Sequence, residues 1–223
     1  MRSGRSGRSG VAMADWAEFT PDNGDIDAWQ TLFHDPSRGG PHLGRLIEAV
    51  RAVQDAVVEA AAPDDVTLAV AQRLEQIAAD LKPWAVEELD RVAGRRPDLP
   101  GRGHPLLLPL VVDEEDDAHV LGRVTFRQFH LGGHGAAHGG TLPLLFDEVV
   151  GRLASARPPR RARTAFITVN YRAITPLDVE LRVEATLDKL EGRKRWASGR
   201  LYDGDRLLAD AVGLFVELRP GQP

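Results

Sequence analysis

Between residues 179 and 188 apolar and polar side chains alternate without a break. Val179, Leu181, Val183, Ala185 and Leu187 stand against Glu180, Arg182, Glu184, Thr186 and Asp188. A period of two fits a strand with one face on a core and the other in water; a helix cannot use it. Glu191-Gly192 then turns the chain, 193–202 continues it, Asp203-Gly204 is a strong hairpin signal, and 206–218 closes the run. Thr164 to Tyr171 is rich in β-branched and aromatic residues and adds a strand. Upstream, 106–112 and 119–130 read as two more strands, with Asp113-Glu114-Glu115-Asp116-Asp117 as the solvated hairpin tip between them. Thr141 to about Ala156 carries Leu142, Leu144, Leu145, Phe146, Val149, Val150 and Leu153, a helix apolar on most sides, and Pro158-Pro159 ends it. Two strands, one buried helix and four strands make an α+β protein, an antiparallel sheet wrapped around a central helix.

The preceding residues differ in kind. Leu43, Leu46, Ile47, Val50, Val53, Val57 and Val58 recur at helical spacing over 42–62, and a second helix is expected from Val66 to about Val92, capped by Asp64 or Asp65 and kinked or split at Pro83. Residues 94–103 are loop composition throughout. Three regions follow: a flexible or irregular segment over 1–41, a helical extension and linker over 42–104, and the sheet domain over 105–223. The Arg-Ser-Gly repeats at the start have no apolar stretch after them and do not read as a secretory signal.

Composition narrows the chemistry. With no cysteine among 223 residues, disulfides, a catalytic thiol and iron–sulfur clusters are excluded. A net charge of -5 argues against a general grip on nucleic acid. No apolar run approaches the roughly 20 residues of a membrane helix. The expected setting is cytoplasmic, with neither nucleic acid nor membrane as partner.

The densest motif is His138-Gly139-Gly140-Thr141-Leu142-Pro143-Leu144-Leu145-Phe146-Asp147. Two glycines at a helix start let a carbonyl approach unsatisfied backbone N–H groups, with the helix dipole favouring negative charge there; this is an oxyanion hole in outline. Pro143 suits the first turn. Asp147, among large apolar neighbours, needs a partner or solvent.

This stretch resembles the His-Gly-Gly and Asp signature of the hotdog-fold acyl-CoA thioesterases, in the phenylacetate-pathway (PaaI-like) and THEM4-like branch. His138 and Asp147 have that family's nine-residue spacing, Thr164 opens a strand like the one after its central helix, Pro176 matches its proline bend, and 188–194 is similar to the THEM4-like segment. The resemblance covers roughly 105–219. It implies a hotdog fold and hydrolysis of an acyl-CoA thioester to a carboxylic acid and free coenzyme A, with no metal or redox cofactor. Asp147 would be the general base or the nucleophile. The Gly139 amide, with Gly140, would hold the developing oxyanion, and Thr164 would position water or Asp147. His138 would fix the helix start or hydrogen-bond near the carbonyl. The Asp and the glycine would face each other across a homodimer or homotetramer interface. Where some relatives carry Asn or Gln six residues before the His, this chain has Gly132, and His134 is the candidate replacement. Arg193, Lys194 and Arg195 after a turn, and Arg157, Arg160, Arg161 and Arg163 after the helix, are candidates for coenzyme A phosphates. Two alternatives stand beside hydrolysis: a non-catalytic acyl-CoA-binding hotdog protein and a hotdog hydratase or dehydratase.

Overall fold

The computed structural model of the chain describes residues 38–156 and 162–219. The segment over 1–41, with Trp16 and Trp29, falls almost wholly outside them, as do Arg157, Arg160, Arg161 and the Pro158-Pro159 stop.

Two helices come first, α1 (Leu43–Glu59) and α2 (Asp64–Leu81). The second begins two residues earlier than expected. Asp64 and Asp65 lie in its first turn rather than capping it, which places two carboxylates at the positive end of the dipole. The expected break at Pro83 is a split rather than a kink: α2 stops at Leu81, Lys82–Trp84 is a 3₁₀ turn, and Glu88–Asp90 is another. No residue of α2 is buried in the single chain. By contrast α1 buries Leu43, Ile47 and Arg51, spaced by four on one ridge.

The strands are β1 (Val111–Glu115), β2 (His119–Thr125), β3 (Leu131–Gly133), β4 (Ala136–Ala137), β5 (Ala162–Tyr171), β6 (Glu180–Glu191), β7 (Lys194–Asp203) and β8 (Arg206–Glu217), with α3 (Thr141–Ala154) between β4 and β5. Six form one antiparallel sheet in the order β1-β2-β6-β7-β8-β5, and β3 and β4 form a small hairpin. The alternation at 180–187 emerges as expected: Leu181, Val183 and Ala185 are buried while their neighbours are not. The turns at 192 and 204 use glycines at φ +57° and +55°.

Helix α3 lies on the sheet through Leu142, Leu145, Phe146, Val149, Val150 and Leu153, against Val120, Val124, Leu181, Val183, Ala197, Leu201, Ala211 and Phe215. Phe146 sits so close to β7 that a Cβ on Gly199 would lie 2.8 Å from its ring, so this position admits only glycine without a shift. The helix is mostly buried, as expected; Asp147 is its one exposed residue.

The acidic run is a correction. Asp113–Glu115 belong to β1, not to a turn. Two of them find a cation from another element: Arg123 of β2 donates to Asp113 at 2.8–3.0 Å, and Arg152 of α3 to Glu115 at 2.8 Å. The reversal is built by Asp116, whose Oδ1 accepts from the backbone N–H groups of Ala118 and His119 at 2.7 Å. Residues 106–110 form no strand, although Leu108 and Leu110 are core residues.

Candidate functional site

The start of α3 is organised by His138. Its backbone N–H donates to the His130 carbonyl at 2.7 Å, and its own carbonyl accepts from the Thr141 N–H at 2.9 Å and the Thr141 hydroxyl at 2.6 Å. Its ring Nδ1 accepts from the Gly140 N–H at 3.0 Å. The imidazole therefore has an acceptor at Nδ1 and so carries the proton of its neutral form on Nε2. This corrects one expectation. The Gly140 N–H is spent on His138 and does not point at a ligand. None of the hydrogen bonds among the described residues uses the Gly139 N–H.

Tyr171, the last residue of β5, was not anticipated from sequence. Its hydroxyl donates to the Gly139 carbonyl at 2.9 Å across 32 residues of chain. This bond holds the Gly139–Gly140 peptide; the Gly139 N–H belongs to the preceding peptide, whose His138 carbonyl is held by Thr141, and Gly139 itself is exposed. A methyl group on Gly139 would meet the Tyr171 ring at 3.6 Å, an ordinary contact, and the residue is not in the left-handed region. The chain's own packing does not require glycine here. A hydroxyl-bearing aromatic at a strand end is too common a signal to mark such a contact in advance.

Asp147 projects from the exposed side of α3 toward β5. Its Oδ1 accepts from the Thr164 hydroxyl at 2.8 Å, so the expected pairing of these residues is present. Gly139 and Asp147 are not together. Eight residues separate them, about 12 Å at a helical rise of 1.5 Å per residue. Direct attack on a carbonyl held by the Gly139 N–H needs a separation of roughly 6 Å, and attack through one water roughly 8 Å.

Gly132 packs against the next turn of chain. A Cβ there would lie 2.7 Å from the His138 Cα, so no side chain fits at that position. His134 stands at the exposed tip of the β3–β4 hairpin with φ 52°, and no hydrogen bond joins it to Asp147, Thr164 or the glycines.

The basic residues divide. Arg195 is only 4% exposed, donates to the Ala154 carbonyl at the end of α3 at 2.5 Å, and pairs with Glu217 at 2.8 Å. It caps a helix and is no ligand for phosphate. Arg193 and Lys194 are exposed, with Arg193 donating to the Glu217 carbonyl at 3.0 Å. Arg163 is exposed at the start of β5. Thr164 and Arg195 both pair with Phe215 from either side of β8, so the exposed cations beside Arg195 lie about two strand spacings, roughly 10 Å, from the Asp147–Thr164 pair. Trp196 stacks edge-on against Phe166 at 5.8 Å, as a packing residue.

Residues 134–209 match the family model of the thioesterase superfamily. The chain is 30% identical over 112 residues to a putative esterase, PA0474, of Pseudomonas aeruginosa, across 49% of this chain and 84% of that protein. It is 33% identical over 88 residues to the acyl-coenzyme A thioesterase THEM4 of Bos taurus, across 39% of this chain and 35% of that protein; the match spans about a third of that relative's length. Among solved structures, protein RHA08564, a thioesterase superfamily protein, superposes with a TM-score of 0.68 at 29% identity, over 78% of this chain and 90% of that one. Residues 105–219 make up only about half of the chain, so this likeness reaches into the N-terminal helices.

Proposed function

The chain belongs to the thioesterase superfamily, and on that premise we propose that its substrate is an acyl-coenzyme A, hydrolysed to a carboxylic acid and free coenzyme A at a site shared by two copies. The observation that carries this reading is the Gly139 N–H at the start of α3, on an exposed residue, in a peptide whose His138 carbonyl is held by Thr141, and with no partner among the described residues. Such a donor is worth most where charge develops on a carbonyl oxygen and water is excluded.

Asp147 acts as the base. Thr164 fixes one carboxylate oxygen, and the other takes a proton from water as the water oxygen adds to the thioester carbon. The Gly139 N–H holds the resulting oxyanion. Collapse breaks the carbon–sulfur bond, and the proton passes to the leaving thiolate. Because about 12 Å separates Gly139 from Asp147 along one helix, each site takes its glycine from one chain and its carboxylate from another. The exposed edge of β5, carrying Phe166 and Tyr171, is a surface that natural proteins pair or cover. A two-fold pairing of copies serves both needs. Arg193 and Lys194, near the Asp147–Thr164 pair, receive the nucleotide phosphates.

Thiol release from a panel of short, long and aromatic acyl-CoAs tests the reading, with matched acyl-pantetheines alongside. Arg193→Glu with Lys194→Glu should raise KM for the coenzyme A substrates, leave kcat nearly unchanged and leave the pantetheines unaffected. A folded protein that binds acyl-CoAs and releases no thiol from any of them overturns hydrolysis in favour of binding alone.

A further inference from the structure

The ridge of α1 that faces the domain runs Leu43, Ile47, Arg51, Asp55, each four residues from the last. The first three are buried, and the Asp55 side chain is 17% exposed. Asp55 spends both oxygens on one short segment. Oδ1 accepts from the Phe129 backbone N–H at 3.0 Å, and Oδ2 from the Arg127 Nε at 2.7 Å. Glu48, one turn from Arg51, accepts from the same guanidinium at 2.9 Å and pairs with Arg51 on its other side. Arg51 in turn donates to the carbonyls of Pro100, His104 and Leu107.

The clamped segment leads directly to the site. Gln128–His130 is a single 3₁₀ turn, in which the Arg127 N–H donates to the His130 Nδ1 at 2.8 Å. His130 is buried and packs edge-on to Phe126, with ring centroids 5.9 Å apart. Its carbonyl receives the His138 N–H at 2.7 Å, closing the base of the β3–β4 hairpin. His138 then holds the Gly140 N–H, and the Gly139 peptide lies between them in the chain. Every link in this series is a hydrogen bond between named atoms or one covalent step.

We propose that Asp55 is a positioning residue for thioester hydrolysis: through Arg127, Phe129 and His130 it sets the place of the His138–Gly140 segment, so that the N-terminal helix is part of the active-site scaffold. The inference rests on the reading that the Gly139 N–H receives the thioester oxygen. Partly buried charges are a costly way to attach a helix, because desolvation offsets much of their attraction, and an apolar contact would hold α1 as well. What the carboxylate adds is direction, two acceptors aimed at two donors of one turn. A misplacement of about 1 Å at a reacting centre costs on the order of 10²-fold in rate.

The test compares Asp55→Ala, Asp55→Asn and wild type as full-length protein. It measures kcat and KM on an acyl-CoA, hydrogen–deuterium exchange across 128–142, and the melting temperature. Asp55→Ala should lower kcat roughly ten- to a hundredfold with KM changed less than about threefold. Exchange over 131–140 should quicken while 146–154 stays protected. Asp55→Asn keeps the acceptor for Phe129 and loses the charge, so it should fall between the two; it also serves if Asp55→Ala does not fold. Wild-type kcat with unchanged exchange in a folded Asp55→Ala overturns the proposal. So does a rate loss accompanied by faster exchange throughout the domain, which marks a stability role only. Failure of the underlying site reading has a different signature, full activity in Gly139→Pro, which lacks the N–H.

Discussion

The separation of Gly139 and Asp147 makes a prediction that a single-chain site cannot meet. Asp147→Asn removes the base and keeps the shape of the side chain. Loss of a general base costs about 10²–10⁴-fold in rate, or about 2.7–5.5 kcal/mol at 1.36 kcal/mol per decade. Gly139→Pro removes the N–H, which no hydrogen bond among the described residues uses, so the fold loses no bond of its own. Loss of one oxyanion donor costs about 10²–10³-fold. Either variant alone should therefore retain about 1% activity or less. When the two are unfolded together in equal amounts and refolded, chains pair at random and about half the dimers are mixed. In a mixed dimer one site receives both lesions and the other receives neither. Intact sites then make up about a quarter of the total, and thiol release should recover to about 25% of wild type with the wild-type KM. The assay needs differently tagged chains, co-purification to count mixed dimers, and refolded wild type as reference. Mixed dimers present at half the population with activity still near 1% would refute the two-chain site and return both groups to one chain.

Other consequences are simpler. Tyr171→Phe removes only the hydroxyl bond to the Gly139 carbonyl, on a half-exposed ring, so kcat should fall about two- to tenfold while the melting temperature holds. Arg195→Met should cost about 3–5 kcal/mol in denaturant unfolding, because it leaves the Ala154 carbonyl and Glu217 without their buried partner; in the fraction that remains folded, KM should not move. Burial, opposed by the Asp55 carboxylate and assisted by Arg127 and Arg51, holds His130 below its ordinary value of 6.5; burial with Arg102 does the same for His104. Below pH 6.5 the unfolded chain therefore binds more protons than the folded one, and the melting temperature should fall as pH drops through the folded-state pKa values. Carboxylates such as Asp98 and Asp210, held low by Arg96 and Arg172, contribute only further down, near pH 4. A flat profile between pH 6.5 and 5 would show that the two imidazoles are not buried neutral.

What could be read from sequence was what local periodicity and spacing encode. The alternation over 179–188 needs only neighbours two apart, and the apolar pattern of 141–153 only neighbours three or four apart. The interval from His138 to Asp147 fixed a loop-to-helix junction and a carboxylate two turns in. The misses turn on side-chain partners that local periodicity does not encode, most of them on other elements. Asp113–Glu115 looked like a turn because five consecutive acids repel; Arg123 and Arg152 relieve them and allow a strand. Gly140 looked like a second oxyanion donor because its capture by a ring nitrogen two residues back depends on a rotamer. The Asp55 contact with Arg127 joins residues 72 apart, on a helix whose visible pattern was apolar. A charged residue at the end of an apolar ridge is where the ridge changes from packing to aiming, and that change leaves no period to detect.

Gly139 poses the last question the geometry answers. Glycine is usually explained by positive φ or by a neighbour too close for a Cβ, as at Gly199 against Phe146. Neither holds at 139, where a methyl group would make an ordinary contact. Any requirement for glycine there would come from outside the chain: a substrate carbonyl that must reach the N–H, or a second copy whose helix passes close by. The two demands are compatible. This chain's own Asp147 lies about 12 Å along the helix from that N–H, which is why the proposed site takes its carboxylate from another copy. The strand edge that would carry the pairing, β5, holds Thr164 at one end, bonded to Asp147, and Tyr171 at the other, bonded to Gly139. Eight residues of β5 run from Thr164 through Tyr171, and antiparallel pairing of that edge with a two-fold mate would set the Thr164 end of each copy beside the Tyr171 end of the other. In the proposed dimer, the same strand that bonds to both half-sites within a chain would bring the complementary halves together between chains.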